Sequence, residues 1–380
     1  LKLLVLLQGR AVEDQIGYHR GFEALLAAGM LSRYQSIPYR RTKRDGSSDM
    51  DGVYDEALAA MRTCGTDCLL LQWFHGDLGD PRPFIRAARA INPALVVVTT
   101  GGDPFGRWLN PMPASFWQAS SASDLTFLTS MGYMAQGLER RGSRNIALMP
   151  HGVCQERFVK PFDAAPVSKE FDVVFIGSNN GGRNPFSTVS RGARRRRAMV
   201  SALQKRYGKR FALFGRHWQG HPSWQGPVPF AEQVNTARRA RVQVGGFPSS
   251  GATYYASDRP YIAMASGVPF LDFMVDRLGS LAEPHRHFFP YAGLAGLIAR
   301  TDELLDKPQA TLDAIGAETR EMIVGGHTHY HRAREMLDIA RRLAEHRARG
   351  EVMAPPLLQC FHPGIDPRAE LPWAVGHWLG

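Results

Sequence analysis

Short, uninterrupted apolar runs recur along the chain, each closed by a glycine- or proline-marked loop and followed by a helical pattern. In the first half these are "LKLLVLL", "DCLLLQWF", "ALVVVTTGG", "DLTFLTS" and "NIALMPHG"; in the second, "FDVVFIGS", "KRFALFG", "ARVQVGG" and "GVPFLDF". A strand with one wet face alternates apolar and polar residues, whereas a continuous run needs cover on both faces. The intervening segments supply that cover. In "YHRGFEALLAAG", Phe22, Leu25 and Leu26 mark one helical face and Gly29 a stop. The chain therefore reads as α/β, with parallel, doubly wound sheets clad in helices.

A length of 380 residues exceeds one ordinary core and predicts two domains. The polar, proline-containing stretch "KPFDAAPVSKE" (160–170) reads as a linker. Two Rossmann-like domains are expected, at 1–160 and 171–340, with a tail at 341–380 that packs across a domain surface. Residues 308–346 read as strongly helical, with Ala333, Met336, Leu337, Ile339, Ala340 and Leu343 on one side. No apolar run approaches the roughly 18–20 residues that span a bilayer, and the first strand lacks a signal-peptide layout. A cytoplasmic chain with no transmembrane segment is expected. Cys64, Cys68, Cys154 and Cys360 match neither a CxxC pair nor a paired zinc pattern and read as reduced thiols.

The net charge of +11 is unevenly placed. No Asp or Glu occurs from Val173 to Ala231, a stretch that carries Arg183, Arg191, Arg194, Arg195, Arg196, Arg197, Lys205, Arg206, Lys209, Arg210 and Arg216. Elsewhere acids and bases balance. A solvated helix face accounts for part of this run, but so long a carboxylate-free segment predicts a surface that meets anions, and residues 183–216 offer themselves to nucleic acid. The basic run directly follows "FDVVFIGSNNGGRNP", where a strand ends on Gly177 and Ser178 and the loop reaches Arg183. Small residues let backbone N–H groups approach an anion, and phosphate suits such a loop.

In a doubly wound sheet, ligands gather at the C-terminal ends of strands. Those ends carry His75, Asp103 and His151 in the first half. In the second they carry Gly177, Ser178, Arg216 in "GRHWQG", and Ser257, Asp258 and Arg259, where a capped helix begins. Each histidine has a structural alternative, a cap accounts equally for Asp258, and a surface ion pair for Arg259. "HTHYH" and "HRH" lack the spacing of metal ligands on one helical face, and no metal site is expected.

"PHGVCQERF", "FDVVFIGS", "FALFGRHW", "SDRPYIAMASGVPFLDF" and "GGHTHYHRAREML" resemble, in order and spacing, the CgeB-like (spore maturation type) branch of group 1 glycosyltransferases. The resemblance covers residues 150–340 well and the first domain more loosely. It implies a GT-B architecture of two facing Rossmann-like domains, with a nucleotide-sugar donor on the second and an acceptor on the first. It implies neither a catalytic metal nor a bound cofactor; the donor would be a UDP-, GDP- or TDP-sugar. Donor phosphates would lie near Gly177, Ser178, Arg183, Asp258 and Arg259, with Asp103 and His151 at the cleft. His75, Asp103 or His151 would take the acceptor proton if the reaction inverts. Two positions depart from the pattern: Cys154 replaces an acidic residue, and Ile262 replaces a glutamate that meets the donor ribose. Isoleucine cannot accept a hydrogen bond. Two alternatives stay open: transfer to a hydroxymethylated base in DNA, and a non-catalytic protein that binds a nucleotide or sugar on the same fold.

Overall fold

The computed structural model describes residues 1–43, 45–76, 78–105, 111–162, 165–181, 188–246, 254–273 and 281–351. Two compact units divide the chain. One holds Leu1–Pro150 and the described residues from His329 onward; the other is His151–Thr328.

In the first unit six parallel strands form one sheet: β1 (Lys2–Leu7), β2 (Arg33–Pro38), β3 (Cys68–Leu71), β4 (Val96–Gly101), β5 (Leu125–Leu128) and β6 (Ile146–Leu148). Their order is β2-β1-β3-β4-β5-β6. Helices α1 (Ile16–Ala27), α2 (Met50–Cys64), α3 (Arg82–Ile91), α4 (Ala114–Ala122) and α5 (Tyr133–Glu139) connect them. The continuous apolar pattern of β1 is explained by its two covered faces. Leu3, Val5 and Leu7 pack in one core with Phe22 and Leu25 of α1. Leu4 and Leu6 pack in another with Val53, Ala57 and Ile85 of α2 and α3. The chain leaves β1 for β2 on one side and returns to β3 on the other, so the strand order switches between β1 and β3. That crevice is where such sheets bind ligands.

The second unit repeats the plan with β7 (Phe171–Ile176), β8 (Phe211–Phe214), β9 (Trp224–Gly226), β10 (Ala240–Val244), β11 (Phe270–Asp272) and β12 (Phe289–Pro290). Their order is β12-β11-β10-β7-β8-β9, again all parallel. Helices α6 (Thr188–Tyr207), α7 (Gln233–Arg238), α8 (Asp258–Ala265), α9 (Gly293–Leu305) and α10 (Gln309–Gly326) surround it. Here the order switches between β7 and β10. Strands β2, β9 and β12 were not marked by apolar runs because they are edge strands, short or with half-wet sequences such as "RYQSIP".

The helical stretch expected over 308–346 is two helices. Val153 N–H donates to the His327 carbonyl at 2.9 Å, and Thr328 bridges to Val153, which stops α10 within the second unit. Helix α11 (His329–Ala348) then packs on the first unit. Ala333, Met336, Leu337, Ile339, Ala340 and Leu343 join the core that holds α1. Gly21 makes this possible: a Cβ there would lie 3.2 Å from Tyr330 Cα. The sequence pattern carries the second domain to residue 340, whereas the compact second unit ends at Thr328. Periodicity shows that a helix has an apolar face, not which sheet that face covers. Most of the 341–380 tail lies outside the described residues; its start, 341–348, is the end of α11. Among the described residues no helix is long and apolar enough to cross a membrane.

Candidate functional site

Beside the β7/β10 switch, the loops that follow the adjacent strands β7 and β8 are tied together by backbone bonds. Gly177 N–H donates to the Phe214 carbonyl (2.8 Å) and Asn179 N–H to that of Arg216 (2.9 Å). Trp218 Nε1–H donates to the Gly177 carbonyl at 2.7 Å, and Arg216 N–H to Ser178 Oγ at 3.2 Å. Gly215, at φ +138°, is required at this crossing. A methyl group there would overlap the Gly177 carbonyl. The tie holds Gly177, Ser178 and Arg216 at one place and leaves the Arg216 and His217 side chains exposed, His217 in the left-handed region at φ +64°.

Into this loop reaches Arg196 of α6, which donates to the Ser178 carbonyl. Neighbouring Arg197 donates to Asn179 Oδ1 at 3.2 Å. Arg196 is half-buried, and its Nε makes no hydrogen bond. It lies beside the end of β10, 3.9 Å from where a Cβ on Gly246 would stand. Burial, and then the like charge of Arg259, push its guanidinium down to about 10, with no carboxylate among the described residues opposing them. Arg259 itself is exposed in the first turn of α8, whose N-cap Ser257 forms no side-chain capping bond. The first N–H groups of a helix have no partner within it, and its dipole favours an anion there. Gly177, Ser178 and the Arg216 backbone thus share one loop with half-buried Arg196, and Arg259, which follows Ser257 and Asp258 in the chain, is within electrostatic reach of that cation. Arg183 lies outside the described residues.

Arg196 was not singled out within its run of four arginines, although a signal for it exists. Residues three, four and seven positions on are Met199, Val200 and Leu203, all fully buried. Of the four, Arg196 alone shares its helical phase with all three.

In the first unit the ends of β3 and β4 bring His75 and Asp103 within electrostatic reach. Arg40 Nη2 donates to the His75 carbonyl at 3.0 Å, and the imidazole lies 5.6 Å from the Phe105 ring. Burial and Arg40 hold His75 below the usual histidine range, and exposed Asp103 pulls the other way. A neutral imidazole in this position can accept a proton. His151 belongs to the second unit, half-buried and edge-on to Tyr255 at 6.1 Å. Ile262 is buried in α8, 4% exposed. The histidines of "HTHYH" separate: His327 caps α10, and His329 stacks on Tyr18 at 4.3 Å. Among the described residues no three His, Cys, Asp or Glu side chains converge as metal ligands.

Two parallel six-stranded sheets, each with a loop cluster at its switch point, define a two-domain α/β protein of the GT-B type. Residues 194–338 match a protein family described as glycosyl transferase-like. An alpha-glucosyltransferase, solved with UDP and a 13-mer DNA containing an HMU base, shares the fold at a TM-score of 0.59 and 9% identity, over 89% of this chain and 99% of its own. The DNA-modifying beta-glucosyltransferase gives 0.52 at 15% identity, over 91% and 100%. A putative UDP-N-acetylglucosamine 2-epimerase from Listeria monocytogenes gives 0.50 at 12%, over 93% and 99%. No curated protein sequence matches the chain.

Proposed function

We propose that this chain is a nucleotide-sugar-dependent glycosyltransferase, moving a sugar from a nucleoside-diphosphate-sugar to an acceptor hydroxyl. Arg196 carries the reading. A half-buried guanidinium, pressed by a second one and opposed by no carboxylate among the described residues, is poorly stabilised by those residues alone. A diphosphate supplies the missing counter-charge. As the sugar–phosphate bond breaks, negative charge grows on the leaving diphosphate. Arg196, Arg259, Arg216, the Ser178 N–H, which the close approach at Gly177 leaves accessible, and the N-terminus of α8 stabilise it most at that moment. Arg183, which follows this loop in the sequence, is part of the same proposed set. His75, with Asp103 beside it, takes the acceptor proton, and His151 is the alternative base. The fold is shared with sugar-nucleotide enzymes of more than one reaction type, and the glycosyl transferase-like match over 194–338 favours transfer. The CgeB-like branch remains the finer assignment. Free Cys64, Cys68 and Cys154 suit a reducing, cytoplasmic setting.

The test is a calorimetric and thermal-shift panel of UDP-, GDP-, TDP- and CMP-sugars, followed by a transfer assay with whichever binds. A ligand at 100 times its Kd raises stability by about 2.7 kcal/mol. Saturable binding and turnover of one donor are expected. Binding without any transfer or hydrolysis would instead identify the non-catalytic alternative, to which buried Ile262 points.

A second reading, a nucleic-acid acceptor, rests on one observation. Arg197, Lys205, Lys209 and Arg216 are exposed on and after α6 and form no ion pair among the described residues, in contrast with Arg206 and Arg210, which pair with Asp302 and Asp172. Such a face binds phosphates with a steep salt dependence. No retention of a hydroxymethylated DNA duplex at 50 mM salt would remove it.

A further inference from the structure

At the C-terminal ends of β3, β4 and β5 in the first sheet lies a small cavity that the donor site does not use. Tyr18, Gln72, Trp73, Thr100, Thr129 and Met336 line it, and it has about 10 Å3 of room for the centre of a water-sized group. That is space for one oxygen. Gln72 is 1% exposed and follows β3. Its Oε1 accepts the Gln8 N–H at 3.3 Å, which fixes the amide orientation, and its Nε2 makes no hydrogen bond. Two hydroxyls of the lining take part in bonds elsewhere: Thr100 Oγ1 accepts the Trp73 N–H (2.8 Å), and Thr129 Oγ1 donates to the Gly102 carbonyl (2.8 Å). A buried amide donor without a partner among the described residues therefore lines a space for a single oxygen.

The rest of the lining is aromatic and apolar. Trp73, half-buried, sits at φ +46°, a backbone conformation rare for so large a residue. It is held there by its N–H bond to Thr100, by its carbonyl's bond from the Tyr39 hydroxyl at 2.7 Å, and by Gly102, where a Cβ would come within 3.2 Å of the indole. Tyr18 meets the indole edge-on at 5.9 Å. On the neighbouring strand ends lie His75 and Asp103. An aromatic wall beside one buried amide donor matches a ring that is apolar on its C–H face and hydroxylated at its edge.

We infer that this cavity is the acceptor subsite, and that it takes one hydroxyl of a pyranose sugar: the hydroxyl oxygen accepts from Gln72 Nε2 while the ring rests against Trp73. The acceptor is then a carbohydrate rather than a DNA base. The inference rests on the glycosyltransferase reading and narrows it.

The test uses the full chain and, as probes, the methyl glycosides of glucose, galactose and mannose, in both anomers. Binding is followed by saturation-transfer NMR and calorimetry, with the nucleotide-sugar panel run in parallel. At least one pyranoside is expected to bind saturably. Gln72→Leu should weaken it about ten-fold or more while leaving the nucleotide-sugar shift unchanged. If Gln72→Leu does not fold, Gln72→Glu, which keeps an oxygen for the Gln8 N–H but loses the donor, is measured instead. A crystal structure with the bound pyranoside should place a hydroxyl oxygen within hydrogen-bonding distance of Nε2. The inference falls if a donor binds and no pyranoside does, or if the variants bind the pyranoside as tightly as the parent, the cavity then holding only a water. It also falls if hydroxymethylated DNA, and no sugar, accepts transfer. If no nucleotide sugar binds either, the glycosyltransferase reading itself has failed.

Discussion

Replacing Arg196 with methionine should separate stability from binding. Methionine fills the stem's volume against Met199 and Val200 without a charge. In the free protein the substitution removes one hydrogen bond to the Ser178 carbonyl, about 1 kcal/mol. It also removes the burial of a guanidinium pushed down to about 10 and its repulsion with Arg259. The second effect offsets the first, so the unliganded melting temperature should hold or rise slightly. The donor complex loses charge-assisted bonds worth about 1.5–3 kcal/mol, which weakens donor binding about 10- to 150-fold. Arg196→Lys keeps a charge but not the planar fork and should fall between. Scanning calorimetry without ligand and titration calorimetry with the donor are the assays. A variant that loses more than about 2 kcal/mol of stability yet binds the donor with parent affinity would show that Arg196 only braces the loop, and would refute the argument.

Gly215→Ala forces a side chain into φ +138° and against the Gly177 carbonyl; a stability loss of about 2 kcal/mol or more in urea denaturation, with weaker donor binding, is expected. Asp103→Asn removes the group that raises His75 while burial and Arg40 still lower it; if His75 is the base, the acidic limb of the kcat/KM profile should move to lower pH. Glu335 of α11 is pushed up to about 8, mainly by burial. The folded state thus keeps a proton that the unfolded chain releases near pH 4.5, the group's ordinary value, and stability should fall as pH rises from there to about 8. Glu335→Gln should flatten that decline, read as melting temperature at pH 5, 7 and 9.

What the sequence displayed, it displayed through chemistry local to the chain. Strands such as Leu3–Leu7 are apolar throughout because both faces are covered, and that run alone predicts a parallel sheet. Gly177, Ser178, His75 and Asp103 were legible as strand-end residues because short strands leave little doubt where they stop. The partner of a helical face was not legible. Ala333, Met336 and Leu337 cover the first sheet because Gly21 admits Tyr330, a contact across some 300 residues that no periodicity records. Arg196 was half-legible: its phase was available, but in a run of four arginines charge conceals burial. The Gln72 cavity was hidden because a glutamine after a strand is unremarkable until its Nε2 proves to lack a partner.

One departure from the expected glycosyltransferase pattern, Ile262, bears on how the proposed donor would be held. Position 262 is an isoleucine with 4% exposure, so it offers the ribose no acceptor and is built into the unit's interior. In the proposed donor site the diphosphate would instead be met by Arg196 at the Ser178 loop, with Arg259 within electrostatic reach and Arg216 on the adjoining loop. A donor gripped by its charge and not by its ribose at this position should be read poorly at that sugar. UDP and TDP differ at the ribose 2′ position and by a methyl on the base, so their affinities should agree within about threefold, less than 1 kcal/mol. A site with a carboxylate on the ribose hydroxyls would discriminate more, because a buried acceptor left unpaired costs about 1–3 kcal/mol. Competition calorimetry of UDP against TDP decides the matter: a preference of thirty-fold or more for UDP would mean that another residue has taken over the role of the missing glutamate.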